Sequence, residues 1–159
     1  MIKLFGGTKV KRIISGGQVG ADRGGLEAGI ALGLDIGGFC PRGRRAKDGK
    51  IPDKYPLTEH SSEAYPPRTE ANVRGADLTL VFTRRPPTPG SGLTIGVAIR
   101  LRRPVHLVDL DGTDGELIAE IQDVVDGIKP RTINVAGTGV PELETRVRNL
   151  LVAALEDII

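Results

Sequence analysis

The sequence predicts an α/β protein in which a mostly parallel sheet is covered by helices on both faces. Short apolar runs of strand length alternate along the chain with longer segments whose apolar residues recur at helical spacing. Glycine accounts for 22 of the 159 residues, which suits many tight turns between short elements. Parallel neighbouring strands need crossover connections, and helices between the strands would supply them.

Five apolar runs rich in β-branched residues have the length of buried strands. They comprise residues 10–14, 34–39, 78–83, 105–108 and 132–135. Their alternation with helical segments predicts a mostly parallel sheet that is covered on both faces.

Helical spacing of apolar residues predicts helices between and after these strands. The first is indicated by Leu26, Ile30 and Leu34, the second covers residues 117–128, and the third covers residues 143–158. The segment 93–101 is apolar on nearly every side, so we expect a helix that is buried on more than one face or packed at a subunit interface. Together these elements indicate a doubly wound, Rossmann-like sheet.

Length and composition restrict the class of protein. A chain of 159 residues has the size of one domain, so residues 1–159 are predicted to form a single ligand-binding domain. The net charge of +2 is too small for bulk binding to nucleic acid, and no stretch approaches the roughly 20 apolar residues of a membrane span. Cys40 is the only cysteine, which excludes an intramolecular disulfide and favours a cytoplasmic protein.

Glycine-rich and basic turns follow the predicted strands at their carboxyl ends, where ligands bind in open α/β sheets. The sequence SGGQVGAD follows the first strand, PRGR the second, PGSGLT the third and AGTG the last. Glycine turns and helix N-termini present backbone N–H groups that suit a phosphate or an oxyanion. Arg42 and Arg44 can add charge-assisted hydrogen bonds. The sequence therefore predicts an anion site at this edge of the sheet.

Each of these features also has an ordinary structural explanation. Glycine turns serve packing, and SGGQVG matches neither GxGxxG nor the P-loop pattern. Asp22 can be a charge at a helix N-terminus, and Arg44 can belong to a basic run that only solvates a loop. His60 and His106 give no basis for a metal site, and Cys40 is expected to be a small buried hydrophobe.

Five motifs, taken in order, resemble the putative molybdenum carrier family. They are GGQVGADRGGLEAGI, GGFCPRGRRAKDGKIPDKYPLTE, RTEANVRGADLTLVF, GSGLT and INVAG. The resemblance runs from about residue 12 to the C-terminus, and the second motif is the most diagnostic. This Rossmann-like family is related to molybdenum cofactor carrier proteins and, more distantly, to the phosphoribohydrolases once described as lysine decarboxylases.

The resemblance implies an oligomeric domain, a dimer or tetramer, that holds molybdenum cofactor, molybdate or another anionic or phosphorylated ligand at the strand ends. The ligand-binding residues that it implies are Gly16, Gly17, Gln18, Gly20 and Asp22 in the first loop, Arg42 and Gly43 in the second, Arg68, Thr69 and Asn72 on one helical face, and Ser91, Gly92 and Thr94 at a second helix start. For the last three, ordinary helix capping is the structural alternative.

Two departures from the family pattern bear on function. The V-A-G run is followed by Thr138-Gly139-Val140-Pro141 instead of a Pro-Arg segment, so no basic contact is expected there. The related phosphoribohydrolases carry a catalytic Glu in P-G-G-x-G-T-x-x-E, whereas the matching stretch after Thr94 has none. A carrier without catalytic residues is therefore expected. The alternative is a nucleotide-binding sensor or an enzyme acting on a nucleoside monophosphate or an ADP-ribose-like ligand, with Asp22 or Glu70 as its carboxylate.

Overall fold

Strands and helices alternate along the chain, as the apolar pattern predicts. The structure is a computed structural model that describes residues 9–159. In chain order its elements are β1 (Arg12–Ile14), α1 (Ala21–Leu32), β2 (Asp35–Gly37), β3 (Phe39–Cys40), β4 (Arg45–Ala46), β5 (Gly49–Lys50), β6 (Thr58–Glu59), α2 (Tyr65–Arg74), β7 (Leu78–Thr83), α3 (Pro89–Arg100), β8 (Val105–Asp109), α4 (Asp114–Ile128), β9 (Thr132–Gly137) and α5 (Leu143–Leu155).

The central sheet is parallel throughout and has the strand order β2-β1-β9-β7-β8. Ile13 of β1 pairs with Ile36 of β2 on one side and with Ile133 of β9 on the other. Leu80 of β7 lies between Val135 and His106 in the same way. Because the first strand lies directly beside the last, the turns that follow β1 and β9 meet at the carboxyl edge of the sheet.

Helices cover both faces of the sheet, so the predicted Rossmann-like α/β fold is confirmed. Helices α1, α4 and α5 pack together on one face, where Phe82 and Leu151 belong to the main apolar core. Helices α2 and α3 pack together on the other face, around Val73, Val97 and Ala98. Each large apolar side chain that becomes fully buried in this way contributes about 1.5–3 kcal/mol to folding.

The second predicted strand is wrong in its extent, because residues 34–39 divide at Gly38. Gly38 has a φ of +121°, and a Cβ there would overlap the backbone of Ser15. Only glycine fits this close approach without strain. The chain therefore leaves the central sheet after β2, and β3 pairs with β6 in a separate two-stranded sheet. Strand β9 in turn runs two residues further than predicted and includes Gly137.

The long segment between β3 and α2 is held in place by side-chain hydrogen bonds. Strands β4 and β5 form a small hairpin, and Asp48 at its tip accepts two hydrogen bonds from Arg23, at 2.7 and 2.9 Å. The Arg44 guanidinium donates to the carbonyl oxygens of Pro52 and Tyr55, both at 2.8 Å, and to two further carbonyls. Arg44 therefore organises this loop, which corrects the expectation that it only solvates the loop.

Helix α3 differs from one of the two expectations for residues 93–101. Its buried residues, Val97 and Ala98 among them, lie on one side only, while Leu93 is 37% and Ile99 is 65% exposed. The expectation of burial on more than one face within the chain is therefore wrong, and packing at a subunit interface stays a prediction. None of the helices within residues 9–159 is long and apolar enough to cross a membrane.

Candidate functional site

Six of the predicted ligand-binding residues come together where β1 ends. Five of them line a cleft of about 10 Å³ formed by the turn after β1 together with α2, α3 and β9. Asp22 joins them through an ion pair with Arg68, at 3.7 Å between Nη1 and Oδ2. We call this group the Arg68 cluster. Its members are Gly16, Asp22, Arg68, Thr69, Asn72 and Thr94.

The Arg68 guanidinium is mostly buried but incompletely paired. Its side chain is 13% exposed, and its terminal carbon lies 5.3 Å from the centre of the Tyr65 ring. Its Nε has no hydrogen-bond partner within residues 9–159. A Cβ on Gly16 would overlap the guanidinium, so the glycine makes room for it. A buried, charged N–H group that donates to nothing is suited to bind an anion oxygen.

The Asp22 carboxyl group is buried beside Arg68. Its Oδ2 accepts a hydrogen bond from the backbone N–H of Gln18 at 3.2 Å, which also closes the turn before α1. Burial raises the pKa of Asp22 above its ordinary value, and the nearby Arg68 offsets this only in part. Asp22 therefore binds its proton more tightly in the folded protein than in the unfolded chain, where water surrounds the carboxyl group.

Several of the predicted polar residues have their hydrogen bonds satisfied by the fold. Asn72 donates from Nδ2 to the carbonyl of Phe39 at 2.9 Å and accepts from the Phe39 N–H at 2.8 Å, which fixes β3 against α2. The Thr94 hydroxyl donates to the carbonyl of Gly90 within its own helix. The backbone N–H of Ser91 donates to the hydroxyl of Thr88, so capping accounts for the start of α3.

The other predicted residues lie outside the Arg68 cluster. Arg42 is 62% exposed and pairs with Glu63 at 3.5 Å, while the N–H of Gly43 donates to Glu59 at 2.7 Å. Gln18 donates from Nε2 to the carbonyl of Arg45 at 2.9 Å, which ties the first loop to the β4–β5 hairpin. The remaining positions are glycines: Gly17 packs beneath Leu57 and Ile51, Gly20 against the backbone of Thr138 and Val140, and Gly92 faces open space.

A larger cavity, of about 460 Å³, lies at the carboxyl ends of β7, β8 and β9. We call it the β7–β9 cavity. Thr83, Thr88 and Glu142 line it and were missed by the sequence-based site, while Thr138 belongs to the predicted turn after the last strand. The signal was available for Thr83 and Thr138, because each lies where a parallel strand ends.

Three polar residues, from the N-cap of α3 into its second turn, lie between the two places. Thr88 lines the β7–β9 cavity and Thr94 lines the Arg68 cluster, with Ser91 between them. Six residues of helix separate Thr88 from Thr94, which corresponds to about 9 Å along the axis. The lining of the Arg68 cleft includes Asn134 and Val135 in the middle of β9, so this cleft lies further from the carboxyl edge of the sheet than the β7–β9 cavity does. No group of three or more His, Cys, Asp or Glu within residues 9–159 is placed to hold a metal ion.

Comparisons with known proteins agree with the fold and with the family resemblance. The Circularly permutated YpsA SLOG family matches residues 13–155. The crystal structure of a putative molybdenum carrier protein from Syntrophus aciditrophicus SB is similar, with a TM-score of 0.89 and 32% sequence identity over 94% of this chain and 98% of that chain. A search of the curated proteins finds no significant match. Because the family match covers almost the whole chain, this protein belongs to the Circularly permutated YpsA SLOG family.

Proposed function

We propose that this protein binds and carries a small anionic ligand, either a phosphorylated compound or an oxyanion, at the Arg68 cluster. Molybdenum cofactor and molybdate are the first ligands to consider, because the solved relative is named a putative molybdenum carrier protein. The observation that carries the proposal is the buried guanidinium of Arg68, whose Nε donates to no atom within residues 9–159.

Electrostatics at Arg68 favour an incoming anion. A buried charged donor without a partner costs about 1–3 kcal/mol or more, and a phosphate or oxyanion oxygen would remove that cost. The Asp22 carboxylate competes for the guanidinium, but it lies 3.7 Å away, which is too long for a direct hydrogen bond. Because burial raises the pKa of Asp22, an anion can displace this carboxylate by inducing its protonation.

Asp22 also supports a second candidate, a nucleotide-binding sensor or a phosphoribohydrolase-like enzyme acting on a nucleoside monophosphate. A buried carboxyl group with a raised pKa is typical of a general acid or base. The other carboxylate considered, Glu70, is bound by Arg74 at 2.9 Å and Arg100 at 3.1 Å, and hydrogen bonds from these arginines lower its pKa. Asp22 is therefore the group that such a reaction would use.

Replacement of Arg68 tests the proposed function. We expect Arg68→Gln to weaken the binding of molybdate, inorganic phosphate and AMP by about tenfold or more, since a hydrogen bond to a charged group contributes about 1.5–3 kcal/mol. Isothermal titration calorimetry measures these affinities. Arg131→Gln is the matched control, because Arg131 is exposed and precedes β9 at the opposite, amino-terminal edge of the sheet.

Two outcomes would contradict the proposal. The wild-type protein would bind none of the three anions at millimolar concentration, or Arg68→Gln would bind them as tightly as Arg131→Gln does. Free adenine appearing in the AMP samples, and absent with Asp22→Asn, would favour the enzymatic candidate over a carrier.

We further propose that copies of the chain associate through α3 into a homo-oligomer, a dimer or tetramer. The apolar residues Leu93 and Ile99 on the outer side of this helix support the proposal. A cytoplasmic location also stays a prediction, and the buried thiol of Cys40, whose pKa is raised mainly by burial, is consistent with it.

A further inference from the structure

We infer that the Arg68 cluster binds its anion together with one proton, which comes from solvent and bonds to the carboxyl group of Asp22. The inference rests on the proposed function, since it concerns the same site, and it adds a second bound species to that function. The charge of the proton offsets the charge of the anion. The affinity for the anion should therefore fall as pH rises.

The carboxyl group of Asp22 lies beside the place where an anion would bind. Its Oδ2 is 3.7 Å from Nη1 of Arg68, and the Asp22 and Arg68 side chains are only 8% and 13% exposed. Gly16 lies against both groups, because a Cβ on this glycine would overlap the guanidinium and would lie 3.0 Å from Asp22 Oδ2. An anion oxygen that accepts a hydrogen bond from the guanidinium is therefore close to the carboxyl group as well.

The charges of the cluster balance only while no anion is bound. Among the described residues that line the cleft, those from α3 and β9 included, only Arg68 is charged. An ionised Asp22 neutralises it, so a bound anion would leave excess negative charge at a mostly buried place. Two negative groups that share such a site favour protonation of one of them. Burial already raises the pKa of Asp22, so the proton is expected on this carboxyl group.

The other charged and titratable groups around Asp22 do not supply the missing positive charge. Arg23, the next residue of α1, is buried, but its guanidinium donates to Asp48 of the β4–β5 hairpin at 2.7 and 2.9 Å. Glu144 of α5 acts on the same guanidinium and adds negative charge on this side. The thiol of Cys40 in β3 is buried near the cluster, and burial raises its pKa, so it stays neutral.

Hydrogen bonds hold Asp22 in the site. Its Oδ2 accepts from the N–H of Gln18 at 3.2 Å, and its backbone carbonyl accepts from the hydroxyl of Ser15 at 3.0 Å. Rotation of the carboxyl group towards solvent would break the bond from Gln18, which closes the turn before α1. A protonated carboxyl group keeps that bond, because its carbonyl oxygen still accepts, and its O–H can donate to the anion. Protonation therefore removes the repulsion without a change of fold.

Calorimetry in paired buffers measures the proton uptake. Molybdate, inorganic phosphate and AMP are titrated into the wild type and into Asp22→Asn at pH values between about 5 and about 9. Each titration is made in two buffers that differ in enthalpy of ionisation, and the difference in heat gives the number of protons taken up per anion. Protonation of the free anion contributes equally to both proteins, so it cancels in the comparison.

We expect the wild type to take up more protons than Asp22→Asn, by up to about one per anion. Where this difference is largest, the Kd of the wild type should rise with pH by up to about tenfold per pH unit relative to the Kd of Asp22→Asn. Asp53→Asn is the matched control. The Asp53 side chain is 89% exposed and outside the cluster, so this variant should take up protons as the wild type does.

Infrared difference spectroscopy gives a readout that needs no variant. Addition of the most tightly bound of these anions to wild-type protein with isotopically labelled aspartate should remove a carboxylate band. The same spectrum should gain the C=O band of a protonated aspartic acid. A purely structural role of Asp22 would produce neither change.

Equal proton uptake by the wild type and Asp22→Asn at every pH, for each anion that binds, would overturn the inference. An infrared spectrum without the band of the protonated acid would do the same. Either result leaves the proposed function intact, because the anion is still bound. The proposed function fails, and this inference with it, if the wild type binds none of the anions at millimolar concentration or if Arg68→Gln binds them as tightly as Arg131→Gln.

Discussion

At the scale of single residues, Asp22 and Asp48 show how surroundings give opposite properties to the same side chain. Asp22 is buried, and loss of solvation raises its pKa above the ordinary value of 3.8. Asp48 is half exposed, and its two hydrogen bonds from Arg23 lower its pKa below that value. The two groups should therefore influence the stability of the fold in opposite directions as pH changes.

The pH dependence of unfolding tests this contrast. Folded protein binds the Asp22 proton more tightly than unfolded chain, so the stability due to protonated Asp22 is lost as pH rises from about 3.8 through the raised pKa. The stability due to Asp48 is present above 3.8 and is lost as pH falls through its lowered pKa. Free energies of unfolding in urea between about pH 3 and about pH 8 would test this. The free energy of unfolding of the wild type minus that of Asp22→Asn should fall with rising pH. The corresponding difference for Asp48→Asn should rise.

If both differences in free energy of unfolding changed with pH in the same direction, Asp22 would not be the buried group with a raised pKa described above. A slope of zero for Asp22→Asn would have the same meaning. Asp48→Asn serves as the internal control, since its carboxylate titrates over the neighbouring pH range but is not buried.

The grouping of candidate site residues was predictable from the sequence where a motif specifies the backbone, and less so where a side chain contacts a distant segment. Gly16, Asp22 and Arg68 meet because the ordered motifs place a turn and a helix at one edge of the sheet. The role of Asn72 was not accessible, because its partner Phe39 lies 33 positions away. Contacts of this range depend on tertiary packing and leave no local pattern.

At the scale of elements, the loop between β3 and α2 depends on Arg44. The backbone of Arg44 has a φ of +55°. Its guanidinium donates hydrogen bonds to the carbonyl oxygens of Ile51, Pro52, Tyr55 and Leu57. The same loop buries Ile51, Tyr55 and Leu57 against Leu26 of α1, so its order matters for the second apolar core. The sequence pattern of alternating charges and prolines gave no sign of this organising contact.

Substitution of Arg44 should therefore affect stability. Arg44→Gln is expected to cost about 2 kcal/mol, because several part-buried carbonyls lose a charged donor. For a chain of this length that lowers the midpoint of thermal unfolding by about 4–8 °C. Circular dichroism measures it, with Arg42→Gln as the control, since the Arg42 pair with Glu63 is exposed and contributes little. Equal midpoints for the two variants would contradict the structural role of Arg44.

The elements themselves were predictable where apolar residues repeat over many positions. The run 78–83 coincides with β7, all of whose residues are buried. Prediction failed at Gly38, because a change of sheet in the middle of an apolar run depends on a close approach to Ser15 that only the folded chain creates. The two-residue strands β3 to β6 are too short to leave a periodic signal.

At the scale of the whole molecule, the sheet order brings together the turns that follow the first and the last strand. Because β1 lies beside β9, the first loop contacts the last turn: the N–H of Ala21 donates to the carbonyl of Thr138 at 3.2 Å. Lys47 of the hairpin donates to the carbonyl of Gly139 at 3.2 Å and covers this junction. Alternating strands and helices predict a parallel sheet but not its strand order, which is settled by contacts between distant segments.

The outer face of α3 leads to the last prediction, that of association between copies. Leu93, Gly96 and Ile99 recur at intervals of three along one side of the helix, and the glycine lets another backbone approach closely. Ile99 is 65% exposed, and a cluster of exposed apolar residues is typical of an interaction surface. A two-fold axis beside α3 would pair this face with its own copy, since a patch of this kind is complementary to itself.

We expect the wild-type protein to sediment as a dimer or larger at micromolar concentration, and Ile99→Lys to sediment as a monomer, because a buried unpaired charge is incompatible with an apolar interface. Ile128→Lys is the matched control: Ile128 is 40% exposed at the end of α4, away from α3. Analytical ultracentrifugation distinguishes the cases. A monomeric wild type, or an Ile99→Lys variant that associates as Ile128→Lys does, would assign the exposed apolar residues of α3 to the surface of a monomer.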